Sequence, residues 1–225
     1  MSLNGPSVHL EDGGTLNLNG TQAAIAGLNG TGALHLGDGG ALTVSGSGTF
    51  SGTLAGSGVL STSGKGSSLS LVGSGNVNYD LVVGANTSLS LSREVQPVAV
   101  RAASAGQEIT YHSVTNAGTL QVLGAEGHTS LVALGDITLG AGSVTEVSVD
   151  IAAPASAALA STGGKVIIEN GAMISLGLVG KPTGGELKVT LISGAEGVYD
   201  ESCALWSAGA DMPNVSFNEA IFDLL

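Results

Sequence analysis

Positive charge, aromatic rings, proline and cysteine are all scarce in this chain of 225 residues. Six Lys and Arg stand against 18 Asp and Glu, a formal net charge of −12. Nucleic acid is therefore a poor partner, because phosphate binding needs a cationic footprint, and docking on anionic membranes is disfavoured in the same way. Cys203 is the single cysteine, which excludes an intrachain disulfide and a thiolate metal cluster. No apolar run approaches the roughly 18 residues of a membrane-spanning helix, so membrane insertion of this segment is not expected. Aromatics at 3% and charged residues at 11% leave few large side chains for a wide core. The N-terminus lacks the basic and apolar regions of a signal peptide, and Met1-Ser2-Leu3 (1–3) reads as an expression leader on a fragment.

What is present is glycine, 37 residues of it, and short runs of Leu, Val, Ile and Ala. Such a supply suits a narrow core extended along an axis. An internal similarity organises the first part. Val8-His9-Leu10-Glu11-Asp12-Gly13-Gly14-Thr15-Leu16-Asn17-Leu18 matches Leu34-His35-Leu36-Gly37-Asp38-Gly39-Gly40-Ala41-Leu42-Thr43-Val44, with the same offset throughout, position 8 onto 34. A degenerate third copy lies in 60–73, with Leu69-Ser70-Leu71 slipped by one residue, and Leu60 follows Leu34 at the spacing that separates Leu34 from Val8. Leu16/Leu18, Leu42/Val44 and Leu69/Leu71 carry the period-2 alternation of strands with one buried face. Asp12-Gly13-Gly14 and Asp38-Gly39-Gly40 suit turns with positive φ, closed by Asx bonds. The expected fold is all-β, a right-handed parallel β-helix in which Leu16 and Leu42 share one internal column. An antiparallel sandwich is the alternative, although longer strands and more aromatics would accompany it.

The same strand–turn–strand grammar recurs in 81–91, 137–147 and 166–176, with further strands at 119–123 and 187–192. The organisation read from this is a regular Gly-rich stretch at 4–92, then less regular coils at 93–198. Excursions leave the coil at 93–107 and 151–164, the second with one or two helical turns after Pro154. Residues 199–225 hold Tyr199, Trp206, Phe217 and Phe222 and read as a C-terminal cap or a truncated coil.

Thr49-Phe50-Ser51-Gly52-Thr53-Leu54-Ala55-Gly56-Ser57-Gly58-Val59-Leu60 resembles the autotransporter-associated β-strand repeat, and Ser61 to Leu71 continues the pattern with Lys65 displaced. The family's Asn-Thr-Tyr-Ser-Gly element is replaced by Gly75-Asn76-Val77-Asn78-Tyr79-Asp80. The likeness covers roughly 13–91. It implies a passenger segment of a bacterial surface protein, outside the cell and attached to the outer membrane in the full-length protein. The role implied is an adhesin framework or stalk in cell adhesion and virulence, and the repeat carries no catalytic residues. A host glycan or extracellular-matrix protein is the expected kind of partner, and the segment is expected to be monomeric.

Residues that could carry chemistry lead mostly to structural readings. His9 and His35 share a phase of the internal similarity, with Asp12 and Asp38 near, but two stacked imidazoles are too few for a metal site. The nine-residue acid spacing of calcium-binding β-rolls is missing. A polysaccharide lyase or glycoside hydrolase is the enzymatic alternative. Its carboxylates would come from Asp136, Glu146, Asp150, Glu169 and Glu186, which are scattered irregularly. Gly46-Ser47-Gly48 and Gly56-Ser57-Gly58 lack a nucleophile-elbow context, and Gly64-Lys65-Gly66 is no phosphate loop. Cys203 reads as a small buried hydrophobe. The expectation is a non-catalytic segment with no cofactor. Contacts are expected at 93–107, at 151–164 or on the flat Ser/Thr/Asn face of the early coils.

Overall fold

The computed structural model describes residues 5–73, 75–93, 107–123, 129–150, 157–179, 190–200 and 205–208. Strands fill most of them, and no described helix is long and apolar enough to cross a membrane. The first ladder has nine strands: β1 (Ser7–Leu10), β4 (Gly27–Gly30), β7 (Ser47–Phe50), β10 (Ser68–Val72), β12 (Ser88–Ser92), β14 (Thr119–Leu123), β17 (Val144–Asp150), β20 (Met173–Val179) and β23 (Leu205–Ala208). A second ladder runs through β3 (Gln22–Ile25), β6 (Ala41–Val44), β9 (Gly58–Thr62), β11 (Gly75–Val83) and β13 (Gln107–Asn116). There it forks. The first half of β13 pairs β15 (Thr129–Ala133), followed by β18 (Leu159–Ser161) and β21 (Ile192–Gly194). The second half pairs β16 (Ile137–Leu139), followed by β19 (Val166–Ile168) and β22 (Val198–Asp200). A third ladder is short: β2 (Thr15–Asn17), β5 (Ala33–His35) and β8 (Thr53–Ala55).

The described pairings are parallel, and each ladder takes its strands in chain order. The molecule is a parallel β-helix, as the sequence leads one to expect. One turn of the coil, a rung, contributes one strand to the first ladder, so nine rungs are stacked about 4.8 Å apart.

The register of that coil corrects the expectation drawn from the internal similarity. Ser7 faces Gly27, Thr15 faces Ala33 and Ala41 faces Val59, so an early rung is shorter than the step from position 8 to 34. Leu16 lies against Leu34 in the third ladder, whereas Leu42 lies between Ala23 and Leu60 in the second, so the two share no column. Leu69 belongs to the first ladder. The similarity superposes β1 and its turn to β2 on β5 and its turn to β6. It matches one corner of the coil with the next corner of the following rung, because all sides are built alike: an apolar-alternating strand, a Gly turn, another strand.

The alternation itself is borne out. In β10, β12 and β14 alternate residues are buried, and the columns Leu69–Leu89–Leu120 and Leu71–Leu91–Val122–Val147–Leu176 fill the interior from the first ladder. Leu42–Leu60–Leu81–Val114–Ile137–Val166 fills it from the second. Each buried Leu or Val stabilises the coil by about 1.5–3 kcal/mol relative to exposure. No single rung could bury its apolar face alone; its neighbours cover it.

The turns expected to need positive φ have it, at Gly13 (φ 76) and Gly39 (φ 72). The Asx expectation for Asp38 is replaced by another bond, since its carboxylate accepts the Ser57 hydroxyl from the following rung. Asx bonds form at Asn17 and Asn76 instead, which accept the Asn19 and Asn78 N–H groups.

Of the expected excursions, 94–106 and 151–156 lie outside the described residues. The later part of 151–164 is coil: Ala157 and Ala158 are buried and Leu159–Ser161 is strand, not helix. At the C-terminal end β22 and β23 prolong the second and first ladders. Residues 201–204, which include Cys203, and 209–225 lie outside the described residues, as does Glu186.

Candidate functional site

The coil has three corners, and the connections across them are unequal. From the second ladder back to the first, the longest is 63–67. Connections leaving the first ladder are short in the early rungs, 31–32, 51–52 and 73–74. In later rungs the same corner is crossed by 93–106, 124–128, 151–158 and 180–191. The three longest connections, 93–106, 151–158 and 180–191, therefore all follow a first-ladder strand. Insertions confined to one face of a repeat fold are a common way of building a binding face on a rigid scaffold. Beside this corner, the Arg93 guanidinium donates to the Glu108 carbonyl at 2.8 Å and joins the two ends of one such connection.

The outer face of the first ladder is the flat polar face expected from the sequence. Ser70 and Ser90 stand in register, followed by Gln121, Glu146 and Ser175. The Ser90 hydroxyl donates to Gln121 Oε1 at 2.7 Å, and Gln121 Nε2 donates to Glu146 Oε2 at 2.7 Å.

A cluster of polar and ionisable side chains lies on β11 and β13, beside the register shift between Asn76 and Asp80, and the sequence reading missed it. Asp80 Oδ1 accepts from the Ser113 hydroxyl at 2.6 Å and from His112 Nδ1 at 2.8 Å. A carboxylate only accepts, so Nδ1 carries the proton of this bond. The serine and the imidazole converge on the same carboxylate oxygen. The serine proton points at the carboxylate and not at the imidazole, so the nucleophile–imidazole–carboxylate relay of a hydrolase is not formed. Asp80 and His112 are separated along the chain by an enlarged rung, so no short-range spacing in the sequence marks the pair.

The singled-out residues fall apart or serve the backbone. His9 faces Asn29 in the first ladder, and His35 lies between Asn17 and Ala55 in the third. The expected stacking of His9 on His35 is thus contradicted, for the same reason as the stacking of Leu16 on Leu42. Among the described residues no group of three His, Cys, Asp or Glu is arranged to hold a metal ion. Asp136 Oδ1 accepts the Lys165 N–H at 3.0 Å, and Glu169 Oε2 accepts the Ala141 N–H at 2.9 Å. With Glu146 bonded to Gln121, three of the five candidate carboxylates tie one rung to the next. They sit on a second-ladder corner, the opposite corner and the first-ladder face, and do not converge. Asp150 ends β17 opposite Val179.

No protein-family model, no curated protein and no solved structure matches the chain. What defines its class is the architecture, a parallel β-helix.

Proposed function

We propose that this chain is a non-catalytic scaffold segment of a surface-exposed protein, an adhesin framework or stalk attached to the bacterial outer membrane in its full-length form. The observation that carries the reading is the one-sided lengthening of connections on an otherwise continuous ladder. The first ladder passes through the nine described rungs, while the longest connections all leave that ladder. A coil of this kind sets both ends of each such connection at a fixed corner. The resemblance of 13–91 to autotransporter passenger repeats supplies the location, and a host glycan or matrix protein is the partner class that fits it. The carboxylates used as acceptors between rungs also favour a structural role over glycan cleavage.

The test replaces residues 94–106 with the short connection of the fourth rung, 73–74. The expected result is an unchanged strand signal by circular dichroism with loss of retention on immobilised host glycan or matrix protein. Collapse of the fold would sink the scaffold reading. Undiminished retention would sink display from this corner. Release of reducing ends or unsaturated products from polysaccharide by the intact chain would overturn the non-catalytic assignment.

A further inference from the structure

The first three rungs contain a packing ambiguity, and one side chain is placed to resolve it. The internal similarity aligns the apolar alternation and the Asp-Gly-Gly turns of 8–18 with those of 34–44. The observed coil instead sets Leu16 on Leu34 and Leu42 on Leu60. Leu34 and Leu42 both lie an even number of positions beyond Leu16. Within the matched span either stacking therefore puts the same residues inside and outside, and hydrophobic burial there does not choose between them. The choice must come from groups whose satisfaction depends on register.

Such groups meet where the third ladder stops. Among the described residues no strand pairs with the far edge of β8; β11 pairs β9 and β13 instead, with a register shift between Asn76 and Asp80. Two side chains fill the place of the missing strand. Asn76 Nδ2 lies 2.8 Å from the Leu54 carbonyl and 3.3 Å from that of Gly56. The Tyr79 ring is fully buried, and its hydroxyl lies within hydrogen-bonding distance of the Ala55 carbonyl (2.8 Å), the Leu34 carbonyl (3.2 Å) and the Leu36 N–H (3.3 Å). One phenol thus touches the ends of β5 and β8, two rungs at once. These contacts exist only when β5 lies directly over β8, with Ala33 facing Thr53 and His35 facing Ala55. In a coil that stacked position 8 on 34 the hydroxyl would be buried away from them, and a buried unpaired hydroxyl is strongly disfavoured.

We propose that Tyr79, assisted by Asn76, is a register lock that selects the observed coil of the first three rungs over the longer-period coil the same sequence can pack. A polar group fixing the register of a degenerate apolar seam is the best-attested use of buried polarity.

Paired cysteines in a Cys203→Ser background read the register directly, since stacked interior positions about 4.8 Å apart suit a disulfide. With Tyr79 present, Leu16→Cys with Leu34→Cys should cross-link on oxidation, and Leu16→Cys with Leu42→Cys should not. In Tyr79→Phe the second pair should gain cross-linking at the expense of the first. Asn76→Ala should shift the balance the same way, less far. If Tyr79→Phe keeps the parent's pattern, the proposal is overturned. If Tyr79→Phe loses its strand signal altogether, Asn76→Ala decides: a 16/42 cross-link supports the lock and its absence ends it.

Discussion

Asn116 illustrates how a narrow core keeps polar side chains inside. It is fully buried, yet its amide donates to the Val144 carbonyl and the Thr145 hydroxyl, both at 2.9 Å, and accepts the Gly118 N–H at 3.0 Å. Thr62 and Thr87 stack hydroxyl to hydroxyl at 2.6 Å in earlier rungs of the same corner. Asn116→Leu would leave the Gly118 N–H and the Val144 carbonyl short of partners. Its expected cost is about 1–3 kcal/mol for each buried group left unpaired, read from urea denaturation. Tyrosine supplies a pH dependence. Burial holds both Tyr79 and Tyr111 above the ordinary tyrosine value; Tyr79 adds to the rise at Tyr111, and the bond with Leu36 offsets part of it at Tyr79. The unfolded chain releases these protons near pH 10 while the folded chain retains them, so their contribution is intact below about pH 10 and declines as pH rises above it. Urea midpoints measured across that range should fall with pH, and Tyr111→Phe should flatten the fall. Little of this was legible beforehand, since nothing local marks Asn116 or Tyr79 as an interior residue. Their burial depends on which rungs sit above and below them.

Strands are the elements that sequence announces well. Leu69/Leu71, Leu89/Leu91 and Leu120/Val122 alternate with Ser, Gln and Val, and the coil buries the leucines and valines so marked. Leu89→Ala removes a fully buried side chain flanked in its column by Leu69 and Leu120, and about 2–5 kcal/mol of destabilisation is expected by chemical denaturation. By contrast β15 is buried on both faces, Ser130 and Val132 included, and Thr129-Ser130-Leu131-Val132-Ala133 gives no alternation that would reveal it. Corners show a second limit. A Cβ at Gly52 would run into the Gly32 carbonyl and the Phe50 ring, whereas one at Gly13 would meet nothing and suffer only from its positive φ. Both glycines look alike in the sequence. Gly52→Ala should lower the melting temperature more than Gly13→Ala, and equal shifts in thermal scans would show that stacked corners give way easily.

At the scale of the whole molecule, stability is a sum of rungs and the contacts between neighbours, so position along the axis matters. Among the described residues the first rung pairs on one side only, and Val8, Leu16, Leu18 and Ala23 are half-buried where Leu28, Leu34, Leu36 and Leu42 in the second rung are fully buried. Amides of β1 to β3 should therefore exchange with deuterium faster than those of β10 to β14. Uniform protection along the axis would mean that the coil opens as one cooperative unit. The net charge of −12 favours solubility and opposes lateral association, which suits the scaffold role proposed above.

Composition, alternation and the internal similarity by themselves determined a great deal: an all-β chain, parallel stacking, a narrow core, and Gly turns at Gly13 and Gly39. Those follow from local facts, the period of a strand and the freedom of glycine, which hold wherever a segment ends up. The length of a rung, the separation of Leu16 from Leu42, the parting of His9 from His35 and the meeting of Asp80 with His112 were decided by tertiary structure. Sides built to one grammar are interchangeable to a sequence comparison. Which side lies over which depends on hydrogen bonds and buried polar groups that come together only when the coil closes.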